Sequence, residues 1–367
     1  MTKLTKADLR RILDAATLLG SGGGGPKSIG EQFLKFLLTQ PPVYMLDPND
    51  MTSEQWAAVG AGVGSPLAAA NNFPTDIPQM AFKSLAKILG EANPPIQLSA
   101  VLPGEVGAGN SLVPLAIASQ LGLPIVDASG ARRAIPSLAQ CTYVNLPISP
   151  IVLANDTTDV SFSADSTQEA EPIMRSIISS GTFTEDAGIA FWHMDGQTLK
   201  DNAVLHTLSY TLELGRAIYS ALKEKKDPVK AAIKYLKGYL LFKGTIIDAK
   251  ESTEGGFDFG TITLQDKKKN IMTIYNQNEN LIAWVSDKTH PVAIGPDLIC
   301  YMTTDGVTFS NADLDLAKGK EVAVIGSPST PQLRSPAVMA AWTENLKSIG
   351  YAGKYVPIEE IWGKKSR

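Results

Sequence analysis

Two acidic residues stand where reacting groups are expected. Glu105 lies in Pro103-Gly104-Glu105-Val106-Gly107-Ala108-Gly109-Asn110-Ser111, and Asp127 ends Pro124-Ile125-Val126-Asp127. Each follows or ends an apolar run that reads as a strand, and open α/β sheets place their ligands beyond the carboxyl ends of strands. A carboxylate there can take a proton from water as a general base, so Glu105 and Asp127 are the candidate catalytic residues. Glu105 also reads as a carboxylate stabilised by a helix N-terminus. Asp127 also reads as a turn aspartate, or as a residue that orients a ligand or a metal ligand. Gly109 belongs to the same loop. Asn110 and Ser111 can hydrogen-bond an imide-type ring, and Ser111 can equally cap a helix. Arg132 and Arg133 can hold a carboxylate bidentately or sit ion-paired at the surface. Asn278 and Glu279 follow a strand and can reach a cleft from the second half of the chain; Asn-Glu-Asn also fits a β-turn.

The chain's most unusual stretch is Gly20-Ser21-Gly22-Gly23-Gly24-Gly25-Pro26. Glycine visits positive φ at little steric cost but loses the most backbone entropy on folding. An ordered run is therefore expected to serve a turn, a close backbone approach or a set of exposed N–H groups. Gly22, Gly23, Gly24 and Gly25 are the candidate ligand-binding backbone, with a helix starting near Pro26. A plain helix–helix link is the other reading. No Lys-Ser/Thr follows at P-loop spacing, and the run is not a GxGxxG after a strand.

Other chemistries find little support. No G-x-S-x-G elbow is present, and neither Cys141 nor Cys300 has a histidine nearby in sequence. Both cysteines sit in apolar runs and read as buried thiols of a reducing compartment. His193, His206 and His290 form no HxxH or HExxH pair, and there is no CxxC. No tightly held structural zinc is expected. A labile divalent ion held through Glu105, Asp127 or a histidine stays open, and the cofactor is otherwise unassigned.

These residues need elements to hold them. Residues 5–19 read as a helix, with Thr5 as N-cap and Asp8 three residues on. Further helices are expected at 28–38, 78–89 and 113–121, with strands at 43–46, 56–64, 96–102 and 124–127. That alternation gives a parallel or mixed sheet covered by helices. Strands are expected at 141–153, 158–163 and 187–191, a turn at 193–196, and helices at 168–180, 201–223 and 228–239. From residue 240 the pattern changes to period two, with short strands up to 325 in a small barrel or sandwich; a helix returns at 336–349. The expected fold is an α/β N-terminal domain, residues 1–165, and a C-terminal region, 166–367, with a β-rich core at 238–330.

With 367 residues, 44% hydrophobic and 19% charged, the chain can bury a substantial core. A net charge of −4 without an aromatic-laced basic run argues against nucleic acid. No apolar stretch reaches membrane-span length and the N-terminus lacks a signal-peptide core, so a cytoplasmic protein acting on a small molecule is expected.

Taken in order, the two glycine segments, Gly122-Leu123-Pro124-Ile125-Val126-Asp127-Ala128, Lys243-Gly244-Thr245-Ile246-Ile247-Asp248, Gly255-Gly256-Phe257, Asn278-Glu279-Asn280-Leu281 and Pro296-Asp297-Leu298-Ile299 resemble the S-methyl thiohydantoin desulfurase-like family. The resemblance spans almost the full chain. It implies an α/β domain followed by a β-rich domain, and hydrolysis of a hydantoin-like or S-substituted thiohydantoin-like ring at a C–S or C–N bond. It also implies either a homo-oligomer or a hydantoinase-like partner. The sequence departs from the usual family pattern at Pro26-Lys27, at Leu67-Ala68-Ala69-Ala70-Asn71-Asn72 and at Gly130-Ala131-Arg132-Arg133. These departures keep a second reading open: a non-catalytic small-molecule-binding or partner subunit on the same scaffold.

Overall fold

The Lys6–Leu19 helix starts on a reciprocal cap: the Thr5 side chain accepts from the Asp8 backbone N–H while the Asp8 carboxylate accepts from the Thr5 N–H. Two orphan donors are thereby satisfied at the first turn. The helix is apolar on two sides. Leu9, Ile12 and Leu13 enter one core, and Ala15, Ala16, Leu18 and Leu19 another, so it joins the halves of the molecule. A computed structural model gives the positions of residues 1–64, 74–183, 186–254 and 257–363, which are the described residues. The divergent segment 67–72 and Gly255-Gly256 lie outside them.

The first sheet has eight strands in the order β1-β2-β5-β4-β3-β9-β7-β8. They are β1 (Thr2–Lys3), β2 (Tyr44–Leu46), β3 (Trp56–Gly64), β4 (Leu98–Leu102), β5 (Ile125–Val126), β7 (Ile151–Ala154), β8 (Asp159–Phe162) and β9 (Asp186–Asp195). A short pair, β6 (Ala128–Ser129) with β10 (Val204–Leu205), stands apart. β2, β5, β4 and β3 run parallel; β9, β7 and β8 continue the sheet antiparallel. Alternation assigns the two faces of β3: Ala58 packs with the helices Lys6–Leu19, Lys27–Leu37, Ile77–Gly90 and Ala108–Leu121, and Ala57 and Val59 pack on the opposite side. A sheet covered on both faces explains the near-continuous apolar runs of β3 and β4.

The second sheet has seven antiparallel strands, β15-β14-β13-β12-β11-β17-β16, and curls into a nearly closed barrel. They are β11 (Tyr239–Glu254), β12 (Phe257–Gln265), β13 (Ile271–Gln277), β14 (Glu279–Val285), β15 (Ala293–Ile294), β16 (Leu298–Thr303) and β17 (Val322–Ser327). β11 pairs with β17 along its first part and β12 along its second, with a register shift in each pairing. Such irregularities let one long strand turn a corner. Among the described residues no helix is long and apolar enough to cross a membrane.

The α/β part and the β-rich part are as the residue pattern indicates, with differences in detail. The strand expected at 141–153 forms only at its end, as Ile151–Ala154; Leu138–Gln140 is a 3-10 helix and turns follow it. The apolar side chains there, such as Tyr143 and Ile148, cover the sheet face rather than alternate along a pleat. His193 lies inside β9 rather than in a turn. His206 precedes the Thr207–Lys223 helix with a positive φ and a half-exposed side chain, not buried within the helix. The first sheet reaches residue 195, past the boundary expected at 165, because β9 inserts between β3 and β7.

Candidate functional site

The carboxyl end of β3, the loop after β4 and the bulged stretch of β9 border one cleft of about 120 Å³. The second sheet closes it with Asn278 and Glu279. Glu105 enters from the loop after β4 and is fixed at both oxygens. Oε1 accepts from Asn110 Nδ2 at 2.8 Å, and Oε2 accepts from the Ile135 backbone N–H at 2.8 Å. Asn110 is itself fixed, its Oδ1 accepting from the Gly62 N–H at 3.0 Å. Opposite stands Glu279, only 3% exposed and packed on Gly23, with its Oε2 lacking any hydrogen-bond partner.

Beneath the two acids lies Arg133, fully buried. It donates to the carbonyls of Ala134, Pro296, Asp297 and Asn280 and lies 4.7 Å from the Trp342 ring. Burial disfavours every charge in this group, and the groups act on one another. Glu105 is pushed up by burial, against its hydrogen bonds from Asn110 and Ile135 and the Arg133 charge. Glu279 is pushed well above the carboxylate range by burial and then by the Glu105 charge. One guanidinium cannot balance two buried carboxylates, so the pair retains a proton. Glu279, the more buried and less hydrogen-bonded, is pushed the further toward its neutral form, while the donors to Glu105 favour its carboxylate. Environments that separate two acids in this way define an acid and a base.

Trp192 completes the wall. Ala58 pairs with His193 and Val59 with Phe191, which leaves Trp192 as the extra residue of a β-bulge with φ +41°. Its ring stacks on Phe191 and is 1% exposed, and its indole N–H has no acceptor. Positive φ in a bulky residue is costly, and bulges beside sites re-aim side chains. Cys141 also borders the cleft, but burial pushes its thiol up, so it is no thiolate nucleophile.

Family models for the S-Me-THD-like N-terminal and C-terminal domains match residues 7–164 and 164–358. The chain belongs to the S-Me-THD-like family. No curated protein matches it. It is similar to a protein from Chromobacterium violaceum whose crystal structure was solved as a structural-genomics target. The two share 28% identity over 98% of this chain and 100% of that one, with a TM-score of 0.87.

In this S-Me-THD-like chain the candidate residues part company. Gly24, Gly25, Glu105, Asn110, Asn278 and Glu279 border the cleft. Asp127 does not: its carboxylate accepts from the backbone N–H groups of Leu208 and Ser209 and so caps the Thr207–Lys223 helix. Ser111 Oγ accepts from the Gly107 N–H, a cap for its own helix rather than a ring contact. The glycine run uses mainly carbonyls, where N–H groups were expected. Gly24 O accepts from Gly109 N and Asn110 N, filling the Ala108–Leu121 helix start, and Gly22 O accepts from Asn311 N. Gly22 and Gly23 thus serve close packing, where an added Cβ on Gly23 would fall 1.9 Å from Glu279 Oε1, and Gly109 donates its N–H to Gly24 O. Arg132 borders a different cavity, and its neighbour Arg133 is the cation beneath the cleft. Sequence reasoning missed Trp192 as a site residue; nothing local announces a tryptophan at positive φ. Among the described residues, no group of three or more His, Cys, Asp or Glu side chains could hold a metal ion.

Proposed function

We propose that the cleft hydrolyses a planar cyclic-amide ring, hydantoin-like or S-substituted thiohydantoin-like, at a C–S or C–N bond. The observation that carries this reading is the pair Glu105 and Glu279 bordering one cleft, Glu105 accepting two hydrogen bonds and Glu279 with an unpartnered Oε2, near a fully buried arginine. Family membership points to the same ring chemistry.

On an S-alkyl thiohydantoin-type ring the roles follow from the protonation states. Water attacks the ring carbon bearing sulfur while Glu105 takes its proton, and the C=N electron pair moves to nitrogen, which Glu279 protonates. In collapse the new hydroxyl gives its proton to Glu279 as the carbonyl forms. The C–S bond breaks and the thiolate takes the proton held by Glu105. Both acids return to their starting states, and water has replaced thiol. In this reading the Trp192 N–H, which has no acceptor and borders the cleft, donates to a ring carbonyl oxygen.

Turnover of a panel of S-alkyl thiohydantoins, hydantoins and other cyclic imides, followed by thiol release and by ring-opened acid, tests the proposal. The wild-type chain is expected to turn over at least one member, and Glu105→Gln to lose about 10²–10⁴-fold in kcat. Tight binding across the panel without turnover, with or without added divalent ions, would instead make the chain a binding or partner subunit. The proposal extends to assembly: a hydantoin product is a substrate for a ring-opening amidase, so self-association or a hydantoinase-like partner is expected, and sizing chromatography with such an enzyme checks it.

A further inference from the structure

A second cavity, of about 320 Å³, shares no lining residue with the Glu105 cleft. Arg132 and Tyr210 border it from the first half of the molecule, and Ser327, Ser329 and Thr330, at and just beyond the end of β17, from the second. The Arg132 guanidinium lies 4.3 Å from the centre of the Tyr210 ring, and its buried Nε has no hydrogen-bond partner. Thr330 is 8% exposed and its hydroxyl also has no partner. Among the described residues no carboxylate lines the cavity. Asp297, a buried acid behind the wall residue Ser329, already accepts from Arg334, Tyr355 and the N–H groups of Ser329 and Ile358.

We infer that this cavity is a binding site for a small oxyanion, a carboxylate or a phosphate group, held by Arg132 and Thr330. A guanidinium held over an aromatic ring with its Nε unpartnered can still donate to an oxyanion, whose carboxylate or phosphate oxygens match its planar fork. A cation without a counter-charge between low-dielectric walls concentrates anions. Two buried donors without acceptors are costly unless a ligand supplies oxygens to both. The cavity volume admits a small organic acid or phosphate ester. The site is independent of the ring chemistry proposed above, because it uses none of the same side chains.

Calorimetric titration of the full chain at low salt, with inorganic phosphate in one arm and succinate in the other, tests the site and separates the two anion types. One of them is expected to bind at one per chain and to weaken as salt rises. Arg132→Gln should weaken that binding at least tenfold and Thr330→Val several-fold, whereas Glu105→Gln should leave it unchanged. Arg132→Lys keeps the charge but not the planar fork; it guards against a fold defect in Arg132→Gln and is expected to weaken binding in a chain with wild-type circular dichroism. No binding of either anion at millimolar concentration, or binding unaltered in folded Arg132 variants, would overturn the inference.

Discussion

Glu279 keeps a proton that an exposed glutamate would release. Its folded pKa lies above the ordinary value of 4.5, so the stability it contributes is present in full below about pH 4.5. That stability is lost as pH rises toward the folded value. The slope reaches at most about 1.4 kcal/mol per pH unit for one proton. Glu279→Gln, a permanently neutral isostere, should flatten urea-denaturation stability across this window; an unchanged slope would place the proton elsewhere. Trp192→Phe separates two effects. Deleting a buried donor that has no acceptor should leave Tm unchanged or higher, while ring affinity falls by about 0.5–1.5 kcal/mol, read as a raised KM with little change in kcat. A loss of both stability and affinity would make Trp192 a packing residue only. Residue types and strand ends made Glu105, Asn110 and Glu279 legible in the sequence. Arg132 and Arg133 are adjacent, and only the packing of the chain around Trp342 and Tyr210 decides which faces the acids.

At the level of elements, punctuation was readable and its purpose less so. The Thr5/Asp8 cap stands where local chemistry puts it. Asp127 carried a correct cue, an acid at a strand end, but the helix start it serves begins some eighty residues later in the chain. Asp127→Ala should destabilise the protein by about 1 kcal/mol while ring turnover by the remaining folded enzyme persists. Lost turnover in folded protein would restore Asp127 to the site. The glycine run announced a constraint without saying which one. Gly24 has φ +75°, and a Cβ there would lie 2.4 Å from the Gly107 Cα, backbone against backbone. Gly24→Ala is therefore expected to cost at least about 2 kcal/mol in chemical denaturation.

For the whole molecule, the change of period near residue 240 revealed two architectures, but strand order in a sheet leaves no local trace. The family models meet at residue 164, yet the first sheet draws β9 from beyond that point and seats it between β3 and β7. A fragment of residues 1–165 should therefore be molten or insoluble, with dye-binding apolar surface and no cooperative unfolding transition. A cooperative, monomeric fragment would show that β9 is dispensable. The same insertion sets a timetable for synthesis. A nascent chain that has released Ala154 from the ribosome carries β3 and β7 with facing, unpaired edges, and their partner is complete only when Asp195 emerges. Open edges are templates for pairing with other chains. The interval between those two residues is thus when translation speed and chaperone occupancy decide how much of the protein reaches its native state.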